Sequence, residues 1–340
     1  MTCRTRILDG VHHLVNENTS QPALSLASKD LDTDPVLKIV YIMGSARSGS
    51  TILDLLLGQH TMISSMGEIA HIIDNKETTG EVCGCGASIE ACPFWRTVRG
   101  ALEENGGNAA CDRLKVTTST NERIRSIPRT LSRSRHPGDM KEATYPSDTA
   151  LLLRTIAASA KAPILVDSSK HPGRALALAT IPGLDVRLIH LVRDPRGVAT
   201  SLAKPWKRDL KKGIQSDMPG RSPAKSAFSW MVANLAAESV AKYFSPSKRI
   251  RVRYEDLVTS TDETLAKLSA TAGLDLSELS KFADGSLQPR TNHLLAGNRS
   301  RLAGTLELRA DERWRTDLPS DDRRLVEIIT SPLRSAYGYE

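Results

Sequence analysis

Aromatic residues and cysteines are scarce in this sequence. Aromatic side chains make up 4% of its 340 residues, which leaves little material for stacking on exposed nucleic-acid bases. Five cysteines are too few, and odd in number, for a secreted disulfide framework. The longest apolar runs have the length of a strand, and residues 1–35 lack the apolar core of a signal peptide. We therefore expect a cytoplasmic protein with no membrane span and no nucleic-acid partner.

Positive charge is in excess. The chain has 46 Lys and Arg against 39 Asp and Glu, which gives a formal net charge of +7. This excess suits an anionic ligand, and the scarcity of aromatic residues favours a small polyphosphate over a nucleic acid. The apolar and charged fractions, 40% and 25%, are ordinary for a globular protein. We predict a polar N-terminal extension over 1–35 and a single domain over 36–340, present as a monomer or homodimer.

Short β-branched apolar runs alternate with segments of helical periodicity. Runs typical of buried strands cover residues 36–43, 162–167, 186–192 and 249–257. Helical segments are expected at residues 50–60, 148–160, 172–180, 195–203 and 224–243. Because strands and helices alternate, we predict an α/β fold with a central parallel sheet and helices on both faces.

Two polar, basic stretches interrupt this alternation, and both are predicted to be loops. Residues 106–147 form a variable basic insert, and residues 204–222, KPWKRDLKKGIQSDMPGRS, add proline and glycine to a basic cluster. One interpretation is that both are simply solvated. The other is a lid-like loop at about 204–222 that covers the carboxyl edge of the sheet, where open α/β sheets bind ligands.

A glycine-rich loop, GSARSGST, follows the first predicted strand. Gly44 and Gly49 keep the spacing of the P-loop pattern G-x-x-x-x-G-K-[ST], but Ser50 stands in place of the lysine. In such a loop consecutive N–H groups and the positive end of the next helix face one point, which suits a phosphate. Further hydrogen-bond donors are the side chains of Arg47, Ser48, Ser50 and Thr51.

A second motif, LIHLVRDPRGVATSL, covers residues 188–202. Arg193 comes at the carboxyl end of a predicted strand, and Pro195 is well placed for the first turn of a helix. Ser201 then lies about two helical turns further along. A basic residue and a hydroxyl are thus predicted at the same edge of the sheet as the glycine loop.

The two motifs together resemble those of sulfotransferases that use PAPS (3′-phosphoadenosine 5′-phosphosulfate), in the bacterial and tyrosylprotein branches of the family. The resemblance implies the P-loop sulfotransferase fold. It also implies that the loop holds the 5′-phosphosulfate, through Arg47 and the N–H groups of Ser48, Gly49, Ser50 and Thr51. Arg193 and Ser201 would hold the 3′-phosphate, with help from Arg196.

Four further segments extend the resemblance. MGEIAHII (66–73) is similar to the segment that carries the catalytic base, which implies that role for Glu68. VDSSKHPGRAL (166–176) resembles the segment whose lysine or serine contacts the sulfonate and the bridging oxygen, and Lys170 is the residue that corresponds. Tyr254 in VRYEDLV would face the nucleotide, and HLLAGNRSR (293–301) resembles a late loop that closes over it through Asn298 and Arg301. His60 and His71 flank the glutamate, so a histidine base stays open.

Our functional hypothesis is sulfuryl transfer from PAPS to an acceptor hydroxyl, which gives PAP and a sulfate ester. The acceptor is expected to be a small metabolite, lipid or sugar, with a protein tyrosine as a second option. No metal is required, because fixed Arg and Lys charges replace Mg²⁺. Two alternatives remain: a small-molecule kinase using ATP and Mg²⁺ with Asp167 as metal ligand, and a non-catalytic protein that binds an anion or RNA.

The stretch CGCGASIEACPFW holds Cys83, Cys85 and Cys92. These cysteines could be structural thiols, form a disulfide or bind a metal, and the sequence does not choose among the three. Zinc prefers four ligands, and candidates for the fourth are His71 and Cys111 if the fold brings either close. The adjacent Phe94–Trp95 pair would anchor this segment on the core or line the acceptor pocket.

Overall fold

Five parallel strands form the centre of the protein, in the spatial order β2-β3-β1-β4-β5. The computed structural model describes residues 35–73, 81–107, 109–135, 144–209, 217–282, 285–290 and 292–340. The strands are β1 (Leu37–Met43), β2 (Ile63–Ser65), β3 (Ile164–Lys170), β4 (Leu184–Val192) and β5 (Arg249–Arg253), and a separate antiparallel pair comprises β6 (Ser286–Leu287) and β7 (Leu306–Glu307).

The helices surround this sheet. In chain order they are α1 (Ser50–Leu57), α2 (Pro93–Gly106), α3 (Ala110–Asn121), α4 (Ile127–Arg135), α5 (Thr144–Ala160), α6 (Pro172–Ala179), α7 (Pro195–Ala203), α8 (Pro223–Ala241), α9 (Tyr254–Thr259), α10 (Thr261–Ala272), α11 (Trp314–Asp317) and α12 (Ser320–Ala336). Short 3₁₀ helices cover Ile69–Ile73, Ile124–Ser126, Pro246–Lys248, Ser277–Phe282 and Arg299–Leu302. No helix in the described part of the chain is long and apolar enough to cross a membrane.

Alternate residues of β1 belong to two different hydrophobic cores. Ile39 and Tyr41 point into a core that includes residues of α2, α3, α5, α6 and α8. Val40 and Ile42 point into a second core, with residues of α1 and α10. Because successive side chains of a strand alternate between faces, this division requires helices on both sides of the sheet. The predicted α/β fold, a parallel sheet between two helical layers, is confirmed.

Register brings the carboxyl ends of three strands together. Met43 at the end of β1 pairs with Lys170 of β3 on one side and with His190 of β4 on the other. The residues that follow β1, β3 and β4 therefore start from neighbouring points of one sheet edge.

Most predicted elements are found, with small shifts at their ends. The strand predicted over 249–257 stops at Arg253, because helix α9 begins at Tyr254. The sequence reading missed β2, whose three residues are too few to show a pattern. The prediction of loops over 106–147 was wrong in its described part, which forms α3, α4 and the start of α5. The predicted extension lies outside the described residues, apart from residue 35.

A buried ion-pair network joins β3 to α6. The Arg174 side chain is 1% exposed, and its Nε donates to Asp167 Oδ2 at 2.8 Å. Its Nη1 pairs with Glu122, whose Oε1 also accepts from the Tyr145 hydroxyl at 2.9 Å. Because both carboxylates are almost fully buried, their charge is balanced by Arg174 and not by water.

Replacement of Arg174 by methionine should cost about 3–5 kcal/mol of unfolding free energy, because two buried carboxylates lose their cation. Lys115→Ala is the control, since Lys115 forms an exposed pair with Asp112 and should cost below about 1 kcal/mol. Urea unfolding followed by circular dichroism measures both variants. Equal losses in the two variants would contradict the assigned role of the network.

Candidate active site

The loop between β1 and α1 contains two glycines that have no room for a side chain. A Cβ on Gly44 would lie 2.3 Å from the main-chain oxygen of Leu191, and a Cβ on Gly49 would lie 2.4 Å from the Tyr254 ring. Gly49 has a φ of 94° and Arg47 a φ of 65°, both in the left-handed region. The backbone thus turns tightly against β4 and α9 before α1 begins.

The N-terminus of α1 opens at this loop. It has no side-chain cap and no acidic residue in its first turn. Ser48, Ser50 and Thr51 are buried beside it, and the Ser48 hydroxyl donates to the main-chain oxygen of Ser45 at 2.8 Å. Uncapped N–H groups at the positive end of a helix favour an anion.

Arg193 leaves the end of β4 and lies against the glycine loop. Its Nη1 donates to the main-chain oxygen of Arg47 at 2.9 Å, and its Nη2 donates to Asp311 Oδ2 at 2.9 Å. The guanidinium stands over the Tyr254 ring, 4.9 Å from the ring centroid. The structure therefore brings together three residues that the sequence assigned to the nucleotide: Arg47, Arg193 and Tyr254.

Positive charge accumulates around Arg47. Burial lowers the pKa of the Arg47 guanidinium; Glu68 opposes this effect, and Arg193, Arg221 and Arg299 lower the pKa further by repulsion. Cations that lower the pKa of Arg47 by repulsion indicate a local surplus of positive charge, which an anionic ligand would relieve.

A cavity of about 750 Å³ lies next to Arg47. Ser201 of α7 lines it, so the predicted hydroxyl reaches the same space as the glycine loop. Parts of the stretch predicted to be a lid, 204–206 and 217–222, contribute much of the remaining wall, while residues 210–216 lie outside the described residues. The charged side chains of the lining are Arg47, Lys204, Asp217, Arg221 and Lys225.

Glu68 and Lys170 form an ion pair beside the loop. Lys170 Nζ contacts Glu68 Oε1, and His71 Nε2 lies 3.2 Å from Glu68 Oε2. Burial by itself would raise the pKa of the Glu68 carboxyl, but Lys170 and His71 outweigh it and lower the pKa to about 2. Glu68 is therefore ionised at neutral pH and held by two basic neighbours.

The histidine that accompanies Glu68 is His71. The other candidate, His60, lies elsewhere: its Nε2 is 2.9 Å from the main-chain oxygen of Asp275, and its Nδ1 accepts from the N–H of Met62 at 3.0 Å. Of the two histidines considered as an alternative base, only His71 lies beside Glu68 in the described structure.

The sequence reading missed Asp54, a buried carboxyl group that supports the glutamate. Asp54 Oδ2 accepts from the N–H of Gly67 at 3.1 Å and from the Ser168 hydroxyl at 2.7 Å. Burial raises the pKa of this carboxyl to about 7. It joins α1 to the residue before Glu68 and to β3, and its position within the apolar pattern of α1 gave no signal.

Backbone strain concentrates at this site. The described residues include four non-glycine residues with positive φ, and three of them lie here: Arg47 at 65°, Lys170 at 70° and Ala296 at 51°. Each costs about 1–3 kcal/mol, and such conformations persist where the surrounding structure fixes them, as it does at functional sites.

The late segment predicted to close over the nucleotide lies along α1. The N–H of Asn298 donates to Thr51 Oγ1 at 3.0 Å, while the Asn298 side chain accepts from the N–H of Ser300 at 3.1 Å. Arg299 is the arginine of this segment that approaches Arg47. Arg299 was missed, although it belongs to the motif that predicted its neighbours.

Two arginines assigned to the nucleotide are engaged elsewhere. Arg196 pairs with Asp194 at 2.7 Å and with Glu327 at 3.0 Å. Arg301 is 1% exposed, lies 3.4 Å from Glu81 and donates to the main-chain oxygen of Val82 at 3.1 Å. Within the described residues, neither guanidinium contacts the glycine loop, and their assignment to the nucleotide stays a prediction.

Both carboxylate oxygens of Asp167 accept hydrogen bonds from protein groups. Its Oδ2 accepts from Arg174, and its Oδ1 accepts from the N–H of Ser169 at 3.0 Å. The side chain is fully buried. The kinase alternative needs this aspartate as a magnesium ligand, and the ion pair with Arg174 argues against that role.

Acidification should remove the stabilisation that Glu68 provides. Its pKa in the folded protein, about 2, lies below the ordinary value of 4.5, so the ionised group stabilises the fold above pH 4.5. This contribution, of the order of 3 kcal/mol, is lost as pH falls from about 4.5 towards 2. In urea unfolding at several pH values, the difference between wild type and Glu68→Gln should shrink across that window. A difference that does not change with pH would contradict the assignment.

A family model described as the sulfotransferase family matches residues 40–278 of the chain. Similar solved structures include the sulfotransferase domain of the olefin synthase from Synechococcus PCC 7002, at 19% identity and a TM-score of 0.48, over 91% of this chain and 97% of that chain. Another is the sulfotransferase domain from the curacin biosynthetic pathway, at 17% identity and a TM-score of 0.46, over 90% and 98%. A third is sulfotransferase STF9 from Mycobacterium avium, at 12% identity and a TM-score of 0.45, over 91% and 79%. A search of curated proteins gave no significant match.

The family match covers well over half of the chain. It contains the glycine loop, Glu68, Lys170 and Arg193, the residues that the fold gathers at one edge of the sheet. The chain belongs to the sulfotransferase family.

Proposed function

We propose that this sulfotransferase moves a sulfuryl group from PAPS to an acceptor hydroxyl, which gives PAP and a sulfate ester. The observation that supports the donor assignment is the group of arginines around Arg47, just before the uncapped N-terminus of α1: Arg193 donates to the Arg47 main-chain oxygen, and Arg221 lines the same cavity as Arg47. A donor with a phosphosulfate at one end and a phosphate at the other supplies the negative charge that this cluster favours.

The 5′ end of the donor fits the glycine loop. In the proposal, the N–H groups of residues 48–51 hold the 5′-phosphate, and Arg47 contacts the sulfonate. The tight approach of the loop to Tyr254 and Leu191 fixes those N–H groups in place, so they need no reorganisation when charge develops. A buried serine hydroxyl, Ser45 Oγ, has no hydrogen-bond partner within the described residues, which also suits a polar ligand here.

The 3′ end is assigned to Arg193 and to the cavity that Ser201 lines. Arg193 is held by the main-chain oxygen of Arg47 and by Asp311, and the Tyr254 ring supports its face. A guanidinium fixed in this way offers a planar fork to a phosphate without loss of rotamer freedom. Arg221 and Lys225 add charge to the lining of this cavity.

Glu68 is the proposed general base. The acceptor oxygen attacks sulfur, its proton passes to a Glu68 carboxylate oxygen, and the bond from sulfur to the bridging oxygen breaks, so that the electron pair stays on the 5′-phosphate of PAP. Lys170 balances the charge on the transferring group and on the bridging oxygen.

In the proposal, Lys170 interacts both with the base, Glu68, and with the transferring group of the donor. Its amine pairs with Glu68, and that pair is the main influence that lowers the pKa of the carboxyl against burial. A sulfonate that draws Lys170 away would leave Glu68 buried with less compensation, so its affinity for a proton would rise. Donor binding therefore makes Glu68 a better base.

The acceptor in this proposal is a hydroxyl of a small molecule, such as a metabolite, lipid or sugar. A passive anion-binding protein would have no use for the Glu68–Lys170 pair or for the strained backbone at Lys170. These two features favour catalysis over binding alone.

PAP should raise the melting temperature without Mg²⁺, and Arg193→Ala should abolish most of that shift, because one fixed phosphate contact is lost. Arg187→Ala is the matched control, since Arg187 lies on the same β4 strand but pairs with Asp185 away from the loop. ADP, which lacks the 3′-phosphate, should give a smaller shift. Thermal-shift titrations with each nucleotide measure these effects. A shift with ATP and Mg²⁺ alone would instead support the kinase alternative.

Glu68→Gln should lower kcat for PAP formation from PAPS by about 10²–10⁴-fold, because the amide cannot take the proton. PAP binding should be retained, since the amide keeps the size of the side chain. The control is Glu263→Gln on the exposed face of α10. Chromatographic assay of PAP with a panel of alcohol and phenol acceptors gives the rates. An unchanged kcat in Glu68→Gln would transfer the role of base to another group, with His71 the first to test.

A further inference from the structure

A cluster of three cysteines and one histidine lies outside the proposed reaction. Within the ranges that the structure describes, the ligand atoms of Cys83, Cys85, Cys92 and His293 all lie within 4.8 Å of one another. The fourth member is His293, about 200 residues later in the sequence, and neither His71 nor Cys111 belongs to the group. Nothing in the proposed sulfuryl transfer uses these four side chains.

A tight hairpin places the first two cysteines on one side of the chain. The N–H of Cys83 donates to the main-chain oxygen of Ala87, and the N–H of Gly86 donates to the main-chain oxygen of Cys83, both at 2.8 Å. Gly86 has a φ of 89°, which permits the turn. Cys92 then lies directly before α2, whose first residue is proline.

Three of the six distances between the ligand atoms are close to the edges of a coordination tetrahedron, and the other three are within 4.8 Å. Cys92 Sγ and Cys83 Sγ lie 3.4 and 3.6 Å from His293 Nδ1, and Cys85 Sγ lies 3.6 Å from Cys92 Sγ. Around a zinc ion with bonds of about 2.3 Å to sulfur and about 2.0 Å to nitrogen, these edges measure about 3.5–3.8 Å. Three thiols and an imidazole are also a donor set that zinc prefers.

The histidine ring is held from behind. It stacks on the Phe94 ring with centroids 4.6 Å apart and an interplanar angle of 6°. The main-chain oxygen of His293 accepts from Trp95 Nε1 at 3.0 Å, and Trp95 is buried in the core. Residues next to Cys92 therefore orient the distant ligand, as outer-shell residues do at metal sites. The Phe94–Trp95 pair anchors this segment on the core, one of the two roles expected for it.

We propose that Cys83, Cys85, Cys92 and His293 bind one Zn²⁺ in a closed structural site. Four protein ligands leave no coordination position for a substrate, so the ion has a structural role and takes no part in catalysis. The expectation that catalysis requires no metal is unaffected.

The site ties a remote part of the chain to the proposed base. The N–H of Gly84 donates to the main-chain oxygen of Leu294 at 3.1 Å, and the N–H of Glu68 donates to that of Leu295 at 2.9 Å. Asn298 of the same segment binds Thr51. Zinc would thus fasten the segment that forms one wall beside Glu68.

The test is the metal content of full-length protein purified under reducing conditions, without a chelator or a metal-affinity step. We expect one zinc per chain by elemental analysis. Substitution by Co²⁺ should give the visible absorption and the charge-transfer band of tetrahedral thiolate coordination. Removal of the ion by a chelator should lower the melting temperature by several degrees, because metal binding stabilises only the folded chain.

Substitution of single residues tests which side chains bind the zinc. Cys85→Ser and His293→Ala should each lose most of the bound zinc, whereas Cys111→Ser should keep it. If the ligand variants do not fold, the zinc content and the cobalt spectrum of the wild type still decide. Folded, reduced wild-type protein without zinc and without the thiolate–cobalt band would overturn the proposal, as would a disulfide between two of the three cysteines in freshly isolated protein. None of these readouts depends on PAPS or on activity.

Discussion

The parallel pairing of β1 with β3 and β4 is the constraint on which the site depends. Since three adjacent strands run the same way, their carboxyl ends meet, and the register sets Met43 opposite both Lys170 and His190. The glycine loop, the strained lysine and Arg193 are therefore neighbours in space although they are far apart in sequence. The two hydrophobic cores hold this edge from both faces of the sheet, and their integrity fixes the geometry of the charged groups.

The charges at that edge are arranged in two groups with different partners. Around Arg47, three neighbouring arginines repel its charge and Glu68 attracts it, so the group favours an external anion. Around Glu68 the opposite holds, because Lys170 and His71 already balance the carboxylate. The buried network of Arg174 shows the same balance of charge in the core, so a paired, buried carboxylate does not by itself identify a functional site.

The sequence motifs correctly predicted the features that depend on residues close together in the chain. The glycine loop, the strand before it and the turn at Arg193 depend on neighbouring residues, and all three were found from the sequence. His293 and Asp54 could not be found, because their roles arise from chain segments that meet only in the folded protein. The helices α3 and α4 were taken for loops because their polar residues hide the helical period. The roles proposed for site residues remain predictions for the experiments above.

In the proposed mechanism, the Glu68–Lys170 ion pair affects the order in which the substrates react. An acceptor that arrives first meets a carboxylate with little affinity for a proton, so its hydroxyl remains intact. In that mechanism, proton removal by Glu68 becomes more favourable once the donor has engaged Lys170. Productive turnover would then require the donor to bind before the acceptor. The donor would react only when an acceptor hydroxyl lies behind sulfur and Glu68 can accept its proton.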